Sequence, residues 1–263
     1  MFFVELLVME PSLPSSSSPF PQSVFSYLAQ SEHCHWWFRS RSAILIWLLR
    51  SKVYPFRKFL EVGCGNGYVI QGISKEFPEA ELEASDYFDD GLACARQRVP
   101  GCSFRKLDAT AMDEVAAYDC IGSFDVIEHI QADEVVLANF YRALRPGGYL
   151  LLTVPQHPWL WSRADDFAHH VRRYTASELR QKVLKTGLRI IYVSSFVSLL
   201  LPLMMTARRV SDQGQHYDPE HEFRIHPVIN WVLYRIMMFE FLLLQLGLRF
   251  PAGGSLLLLS QKP

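Results

Sequence analysis

The sequence predicts an α/β protein: a Rossmann-like, seven-stranded, mostly parallel sheet with helices on both faces, N-terminal helices and a helical insertion between strands six and seven. Three observations support this fold. Short apolar segments alternate with helical patterns, as in a parallel sheet covered on both faces. The first such strand enters a glycine-rich turn that opens a helix. The length of 263 residues allows one large domain with an appendage.

The predicted strands are short and bounded by turn residues. They cover residues 58–62, 81–85, 103–107, 118–123, 149–154, 188–196 and 255–260. Helical patterns lie between them at residues 68–77, 91–98 and 177–186, and a fourth runs from Asp133, a predicted N-cap, to about residue 144.

Five segments follow from this layout. Residues 1–22 are predicted to be a flexible leader because a serine- and proline-rich stretch cannot bury enough apolar surface to order itself. Residues 23–56 form an N-terminal helical segment and residues 57–196 the core. Residues 197–254 are an apolar helical insertion, and residues 255–263 hold the final strand.

Charge and cysteine content limit the function classes. There are 26 basic and 27 acidic residues, so no positive excess predicts a nucleic-acid partner. The five cysteines show no metal-binding spacing and suit a reducing compartment. The apolar first residues lack the basic region of a secretion signal. These features predict a cytoplasmic protein.

The glycine-rich turn predicts a nucleoside site. Gly63, Gly65 and Gly67 let the backbone approach a ligand over a helix N-terminus. Their GxGxG spacing lacks the third glycine of the GxGxxG pyrophosphate fingerprint, which favours a nucleoside without phosphate. Glu61, near the end of the strand, is expected to hold an ammonium group.

Two further strand ends carry acidic residues at suitable positions. Asp86 ends the second strand, where its carboxylate can accept both ribose hydroxyls. Asp108 ends the third strand, where it can accept an adenine amine beside the Ala109 N–H. Tyr87 and Phe124 complete the predicted cofactor contacts of the core.

The motifs at residues 61–67, 107–109, 124–130 and 144–148 resemble, in order and spacing, those of class I S-adenosylmethionine-dependent methyltransferases. The resemblance covers roughly residues 58–196. It implies S-adenosylmethionine bound across strands one to three, with S-adenosylhomocysteine as product. The predicted activity is methyl transfer to an oxygen, nitrogen or carbon atom of a small, apolar or amphipathic acceptor.

A finer likeness, at residues 36–41, 155–161 and 170–175, is to a bacterial-type subgroup of small-molecule methyltransferases. It implies that Trp37 and Arg41 contact the methionine end of the cofactor. Arg172 and Arg173 could clamp an anionic acceptor, but the Thr175-x-x-Glu178 capping-box spacing favours solvated residues that begin a helix.

Two histidines are candidate catalytic residues. Methyl transfer mainly requires alignment, but a hydroxyl acceptor benefits from a neutral histidine that takes its proton. His129 follows the fourth strand, and His170 lies in the segment after the fifth. Either could serve as this base.

A metal site is not expected, although one resemblance raises the possibility of magnesium. Asp125, Glu128 and His129 resemble the cluster that binds magnesium in ubiquinone-pathway O-methyltransferases. That family has glutamate where this chain has Asp125, and an imidazole suits a hard cation poorly. We expect the carboxylates of Asp125 and Glu128 instead to stabilise the N-terminal end of a short helix through its dipole.

The insertion is apolar, but Arg235 and Glu240 argue against a clean transmembrane helix. A lid that also supports a homodimer is favoured over peripheral membrane contact. Two other functions stay open: a non-catalytic cofactor-binding or membrane-associated scaffold, and an NAD-dependent oxidoreductase.

Overall fold

A computed structural model of the chain describes residues 32–211 and 225–263. The strands are β1 (Lys58–Val62), β2 (Glu81–Asp86), β3 (Ser103–Lys106), β4 (Tyr118–Phe124), β5 (Leu144–Pro155), β6 (Arg189–Phe196) and β7 (Ser255–Gln261). The α-helices are α1 (Trp36–Leu48), α2 (Tyr68–Glu76), α3 (Asp89–Arg98), α4 (Asp133–Ala143), α5 (Arg163–Phe167), α6 (Ala176–Lys185), α7 (Leu201–Ser211) and α8 (Pro227–Gln245). The predicted leader lies outside the described residues.

The seven strands form one sheet in the order β3-β2-β1-β4-β5-β7-β6. All neighbours pair in parallel except β7, which is antiparallel to both β5 and β6. The predicted fold is therefore confirmed. The strand order reverses between β1 and β4, and in open α/β sheets ligands bind at the carboxyl ends of the strands beside such a reversal.

Two hydrophobic layers cover the sheet. One packs α1, α2 and α3 on one face around buried side chains such as Leu45, Phe59 and Ile70. The other includes Phe140 of α4 and Leu179 of α6 on the opposite face. Full burial of each such side chain contributes about 1.5–3 kcal/mol. This packing makes the strand ends a rigid platform.

The predicted capping role of Asp133 is wrong. Helix α4 begins at Asp133 itself and follows Ala132, whose side chain has no capping oxygen. The Asp133 carboxylate instead accepts hydrogen bonds from the Tyr174 hydroxyl and the Lys182 ammonium, both at 2.6 Å. These bonds tie α4 to the segment that follows β5, because a buried carboxylate is stable only with partners.

Within the insertion, α8 packs along α1. The Trp36 N–H donates to Asn230 Oδ1 at 2.8 Å, and Asn230 Nδ2 donates to the Cys34 carbonyl at 2.8 Å. Glu240 is fully buried and accepts the N–H groups of Ser198 and Leu199, each at 2.8 Å. These bonds join the insertion to both the N-terminal helix and the chain leaving β6.

Helix α8 also has the length and apolar composition of a membrane span, alone among the helices of residues 32–211 and 225–263. Its outer side carries an exposed apolar stripe. The stripe consists of Val228, Val232, Phe239, Leu242 and Leu246, spaced three, four or seven residues apart as one side of a helix requires. The exposed Arg235 interrupts it between Val232 and Phe239.

Candidate active site

The glycine-rich turn lies between β1 and α2. Gly63 and Gly65 have positive φ angles of 79° and 50°, a region that glycine enters without strain. A Cβ added at Gly63 would lie 2.2 Å from a Val126 methyl carbon, whereas one at Gly65 would meet nothing within 4 Å. Gly63 therefore permits close packing against the segment after β4. Gly65 leaves open space where a ligand could approach the backbone.

Asp86 holds this turn to the end of β2. Its Oδ2 accepts the Gly65 N–H at 2.8 Å, and its Oδ1 accepts the Phe88 N–H at 2.9 Å. Burial raises the pKa of Asp86, and these backbone donors oppose the rise. Each oxygen retains capacity for another hydrogen bond. Tyr87, next in the chain, is 53% exposed.

Asp108 lies at the adjacent strand end, where the Leu107 N–H donates to the Asp86 carbonyl at 3.0 Å. Its side chain is exposed, and Oδ1 accepts both the N–H and the hydroxyl of Thr110, at 2.8 and 2.6 Å. Ala109 is buried behind it. The structure thus brings Asp86 and Asp108 to one edge of the sheet, as the strand assignment predicted.

Glu61 is buried at the end of β1 with no hydrogen-bond partner on Oε2. Burial raises its pKa to about 8, and the positive charge of Arg41 opposes the rise. This carboxylate can therefore stabilise a cation, because a buried charge requires a partner.

Arg41 of α1 reaches the same edge. It forms an ion pair with Asp125, and its guanidinium lies 4.4 Å from the centre of the Trp37 ring. The N-terminal helix therefore brings both predicted residues over the carboxyl ends of β1 and β4. The Phe124 side chain is buried next to Gly122, in the hydrophobic layer that also contains α1.

Asp125 follows β4 with a φ of 59° and is held on two sides. Its N–H donates to the Thr153 carbonyl at 2.9 Å, and its Oδ2 accepts from Arg41 and from the Thr153 hydroxyl, the latter at 3.2 Å. The Arg41 guanidinium already balances the charge of Asp125, which weakens the attraction of this carboxylate for a metal ion. Among the described residues, the possible metal ligands that lie close together are Glu128, His129 and His170, a group that does not include Asp125.

A cluster of three side chains follows Asp125 in the site. It consists of Glu128, His129 and His170, whose potential ligand atoms lie within 4.8 Å of one another. Glu128 is completely buried, and neither carboxylate oxygen has a hydrogen-bond partner. The rings of His129 and His170 lie edge to face with centres 4.7 Å apart. Although His129 as a residue is exposed, desolvation by the surrounding chain and the nearby His170 lower the pKa of its imidazole. Both predicted histidines are thus in one cluster.

Asp165, which the sequence reasoning missed, orients His170. The buried Asp165 carboxylate contacts His170 Nδ1 at 2.8 Å and accepts the Arg173 Nε–H at 2.7 Å. Its other oxygen accepts the Ser162 N–H at 2.8 Å in a capping box. The Ser162-x-x-Asp165 spacing is that of a capping box, and this pattern could have identified Asp165 from the sequence. Because Nδ1 faces a carboxylate, the neutral His170 ring carries its proton there and presents the Nε2 lone pair.

The expectation that Arg172 and Arg173 are solvated is wrong. Arg173 is buried between Asp165 and the Gln156 carbonyl. Arg172 pairs with Asp133 at 2.6 Å. Both guanidinium groups therefore bind the protein itself, which disfavours the acceptor clamp. The predicted cap of α6 is confirmed, because Thr175 Oγ1 accepts the Glu178 N–H at 3.1 Å.

A family profile described as a methyltransferase domain matches residues 37–193, more than half of the chain. The chain belongs to this methyltransferase family. The predicted class I methyltransferase resemblance is confirmed. The match includes α1 and the core through most of β6, whereas the insertion and β7 lie outside it.

Curated methyltransferases match parts of the chain. A trans-aconitate 2-methyltransferase from Acidovorax ebreus is 29% identical over 140 residues, 53% of this chain and 52% of its own. A malonyl-[acyl-carrier protein] O-methyltransferase from Bacillus cereus is 32% identical over 102 residues, 38% of each chain. The match thus spans about half the length of the first relative and 38% of the length of the second.

Solved structures share the fold. Phosphoethanolamine N-methyltransferase 2 from Haemonchus contortus, in complex with phosphomonomethylethanolamine and S-adenosylhomocysteine, has a TM-score of 0.63 at 17% identity, covering 94% of this chain and 59% of its own. A methyltransferase structure from Bacillus halodurans has a TM-score of 0.56 at 16% identity, covering 84% and 99%.

Proposed function

We propose that this protein is an S-adenosylmethionine-dependent methyltransferase that acts on an oxygen, nitrogen or carbon atom of a small, apolar or amphipathic acceptor. The observation that carries the proposal is the meeting of the glycine-rich turn, Asp86 and Asp108 on adjacent strand ends beside the sheet reversal. The family match supports the same reaction. An NAD-dependent oxidoreductase lacks this support.

The cofactor would lie across β1, β2 and β3. Asp86 would bind the ribose hydroxyls, with Tyr87 against the nucleoside, and Asp108 and Ala109 would bind the adenine. The glycine-rich turn would lie directly under the bound cofactor, with Gly63, Gly65 and Gly67 as the residues closest to it. Bound S-adenosylmethionine supplies an electrophilic sulfonium methyl group.

The methionine end would lie toward α1. Glu61 would accept the ammonium group, since its buried Oε2 has no hydrogen-bond partner. Arg41 and Trp37 would cover the methionine end of the cofactor. Phe124 would support the end of β4 from the hydrophobic layer. A carboxylate contact by Arg41 would compete with its ion pair to Asp125.

His170 is the better-placed of the two candidate bases. Asp165 fixes its ring and leaves Nε2 to accept a proton from a hydroxyl acceptor. The imidazolium that forms would be stabilised by the Asp165 carboxylate. His129 would line the same acceptor space, where its lowered pKa keeps it neutral near pH 7. No magnesium is required for this step.

The insertion would cover the acceptor and pair two copies of a cytoplasmic enzyme. Helix α8 is anchored to α1, which carries Trp37 and Arg41. Its exposed apolar stripe has the composition of a pairing surface. Peripheral membrane contact through the same stripe is the alternative use of these side chains.

Calorimetric titration of the purified chain with S-adenosylmethionine, S-adenosylhomocysteine and NAD tests the proposal. We expect both adenosyl ligands to bind and NAD to bind at least tenfold more weakly. Folded protein that binds neither adenosyl ligand, or that prefers NAD, would contradict the function. Binding without transfer to any acceptor would favour the scaffold.

A further inference from the structure

Three side chains converge after β4 in an arrangement suited to a metal ion. Glu128 and His129 come from the short turn after β4, and His170 comes from the segment between α5 and α6. One ligand atom from each lies within 4.8 Å of the others. Because ligands about 2.1 Å from a tetrahedral ion lie about 3.4 Å apart, the ligand atoms would have to approach one another by up to about 1.4 Å.

The environment of the Glu128 carboxylate indicates a bound ligand. Its carboxylate is completely buried, and both oxygens are without hydrogen-bond partners. The nearby cations donate elsewhere: Arg41 to Asp125, and Arg173 to Asp165 and the Gln156 carbonyl. A buried carboxylate without a direct partner is costly. A bound cation would remove that cost.

The His170 imidazole is oriented by an outer partner, and the His129 imidazole lies beside backbone carbonyls. Asp165 contacts His170 Nδ1 at 2.8 Å, which directs Nε2 away from Asp165. The backbone carbonyls of Ala168 and His169 face the His129 ring. Metal-binding histidines characteristically donate their second N–H to a carboxylate or a backbone carbonyl. The cluster therefore has the outer contacts of a metal site as well as the ligands.

We propose that Glu128, His129 and His170 bind a divalent transition metal of the zinc class. Two imidazoles and one carboxylate suit a borderline cation, whereas magnesium prefers oxygen ligands. Three protein ligands would leave one coordination position open to water or an acceptor atom. The site differs from the magnesium set implied by the resemblance, because His170 replaces Asp125.

Metal binding would compete with proton acceptance, since both use the same nitrogen of His170. A bound ion would therefore suppress transfer to a hydroxyl acceptor that depends on this base. The metal site itself is defined by the three side chains and does not depend on the proposed methyl transfer. Its test is accordingly a binding measurement.

The purified 263-residue chain, treated with chelator, is titrated by calorimetry with Zn²⁺ and separately with Mg²⁺. We expect one equivalent of Zn²⁺ to bind and Mg²⁺ to give no saturable signal. Glu128→Gln and His170→Asn should each weaken Zn²⁺ binding at least tenfold. His169→Asn is the matched control, because His169 neighbours His170 but is not part of the cluster, and its Zn²⁺ affinity should be unchanged.

Co²⁺ absorption spectra and S-adenosylhomocysteine affinity complete the test. A weak visible spectrum without a thiolate band, lost in His170→Asn, would support the site, and retained nucleoside affinity would show an intact fold. A thiolate band, equal Zn²⁺ affinity in all four proteins, preference for Mg²⁺, or no Zn²⁺ binding would each overturn the proposal. If Glu128→Gln alone fails to fold, His129→Asn replaces it.

Discussion

Individual side chains at this site perform two tasks, holding the backbone and facing the ligand. Asp86 does the first through the N–H groups of Gly65 and Phe88, and we propose that it does the second through the ribose. Asp125 joins the end of β4 to α1 and to β5, because its Oδ2 accepts from Arg41 and from Thr153. The partners of each carboxylate therefore show which elements it holds together.

Asp86→Asn should weaken S-adenosylhomocysteine binding by about 10- to 100-fold, because a hydrogen bond to a charged group contributes about 1.5–3 kcal/mol. Calorimetry measures the change. Asp113→Asn, at an exposed position, is the control and should bind like the wild type. Equal affinity in the two variants would remove Asp86 from the cofactor site.

For the proposed base, His170→Ala should reduce turnover of a hydroxyl acceptor by about 10²- to 10⁴-fold, the usual range for general acid–base catalysis. Cofactor affinity should stay within about threefold of the wild type. His129→Ala should have the smaller effect, because Asp165 orients His170. Rate assays need an identified acceptor; full turnover in both variants would rule out this base.

Elements are held together by polar contacts that amphipathic patterns do not reveal. The two polar residues Asn230 and Glu240 join α8 to α1 and to the chain after β6. His35 stabilises the start of α1 by another polar contact. Its Nδ1 accepts the Trp37 N–H at 3.3 Å and thereby caps the helix.

Glu240→Ala should lower the free energy of unfolding by about 1–3 kcal/mol, because it removes the hydrogen bonds that the Ser198 and Leu199 N–H groups donate to a buried carboxylate. Urea titration measures this loss. Gln245→Ala, exposed on the same helix, should change stability by less than about 0.5 kcal/mol. Similar losses in both would show that Glu240 adds only helix propensity.

His35 predicts a pH dependence. Burial lowers its pKa to about 4, from the ordinary value near 6.5. The unfolded chain therefore binds the extra proton between these values, so stability falls as pH decreases from about 6.5 to 4. His35→Asn, which caps without titrating, should reduce the loss between pH 7 and pH 5 by about 1–2 kcal/mol. An unchanged pH profile in urea unfolding would contradict the assignment.

At the scale of the whole molecule, the described part of the chain presents a large exposed apolar feature, the stripe on α8. Paired copies would bury it, and Phe239→Glu would then place a charge at the interface. We expect sedimentation to show a dimer for the wild type and a monomer for Phe239→Glu, with Leu184→Glu, exposed on α6, as the control. A monomer in all three would contradict pairing, and vesicle binding by the wild type would favour membrane contact.

The sequence by itself determined the sheet, the order of its elements and the candidate cofactor edge. Strand and helix periods, turn glycines and acidic strand ends are local signals, and parallel connections place successive carboxyl ends together. For this reason Gly63, Asp86 and Asp108 were predicted in the positions where the structure has them.

Only the tertiary structure decided the partners of charged side chains. Asp125 pairs with Arg41, Asp165 with His170 and Arg173, and Glu240 with the backbone after β6. Asp125 and Glu240 contact chain positions far away in sequence, and no periodicity encodes such pairing. Burial, which makes an unpaired charge costly, selects these partners after the elements have packed. The metal proposal at Glu128 rests on the opposite case, a buried carboxylate whose two oxygens accept no hydrogen bond.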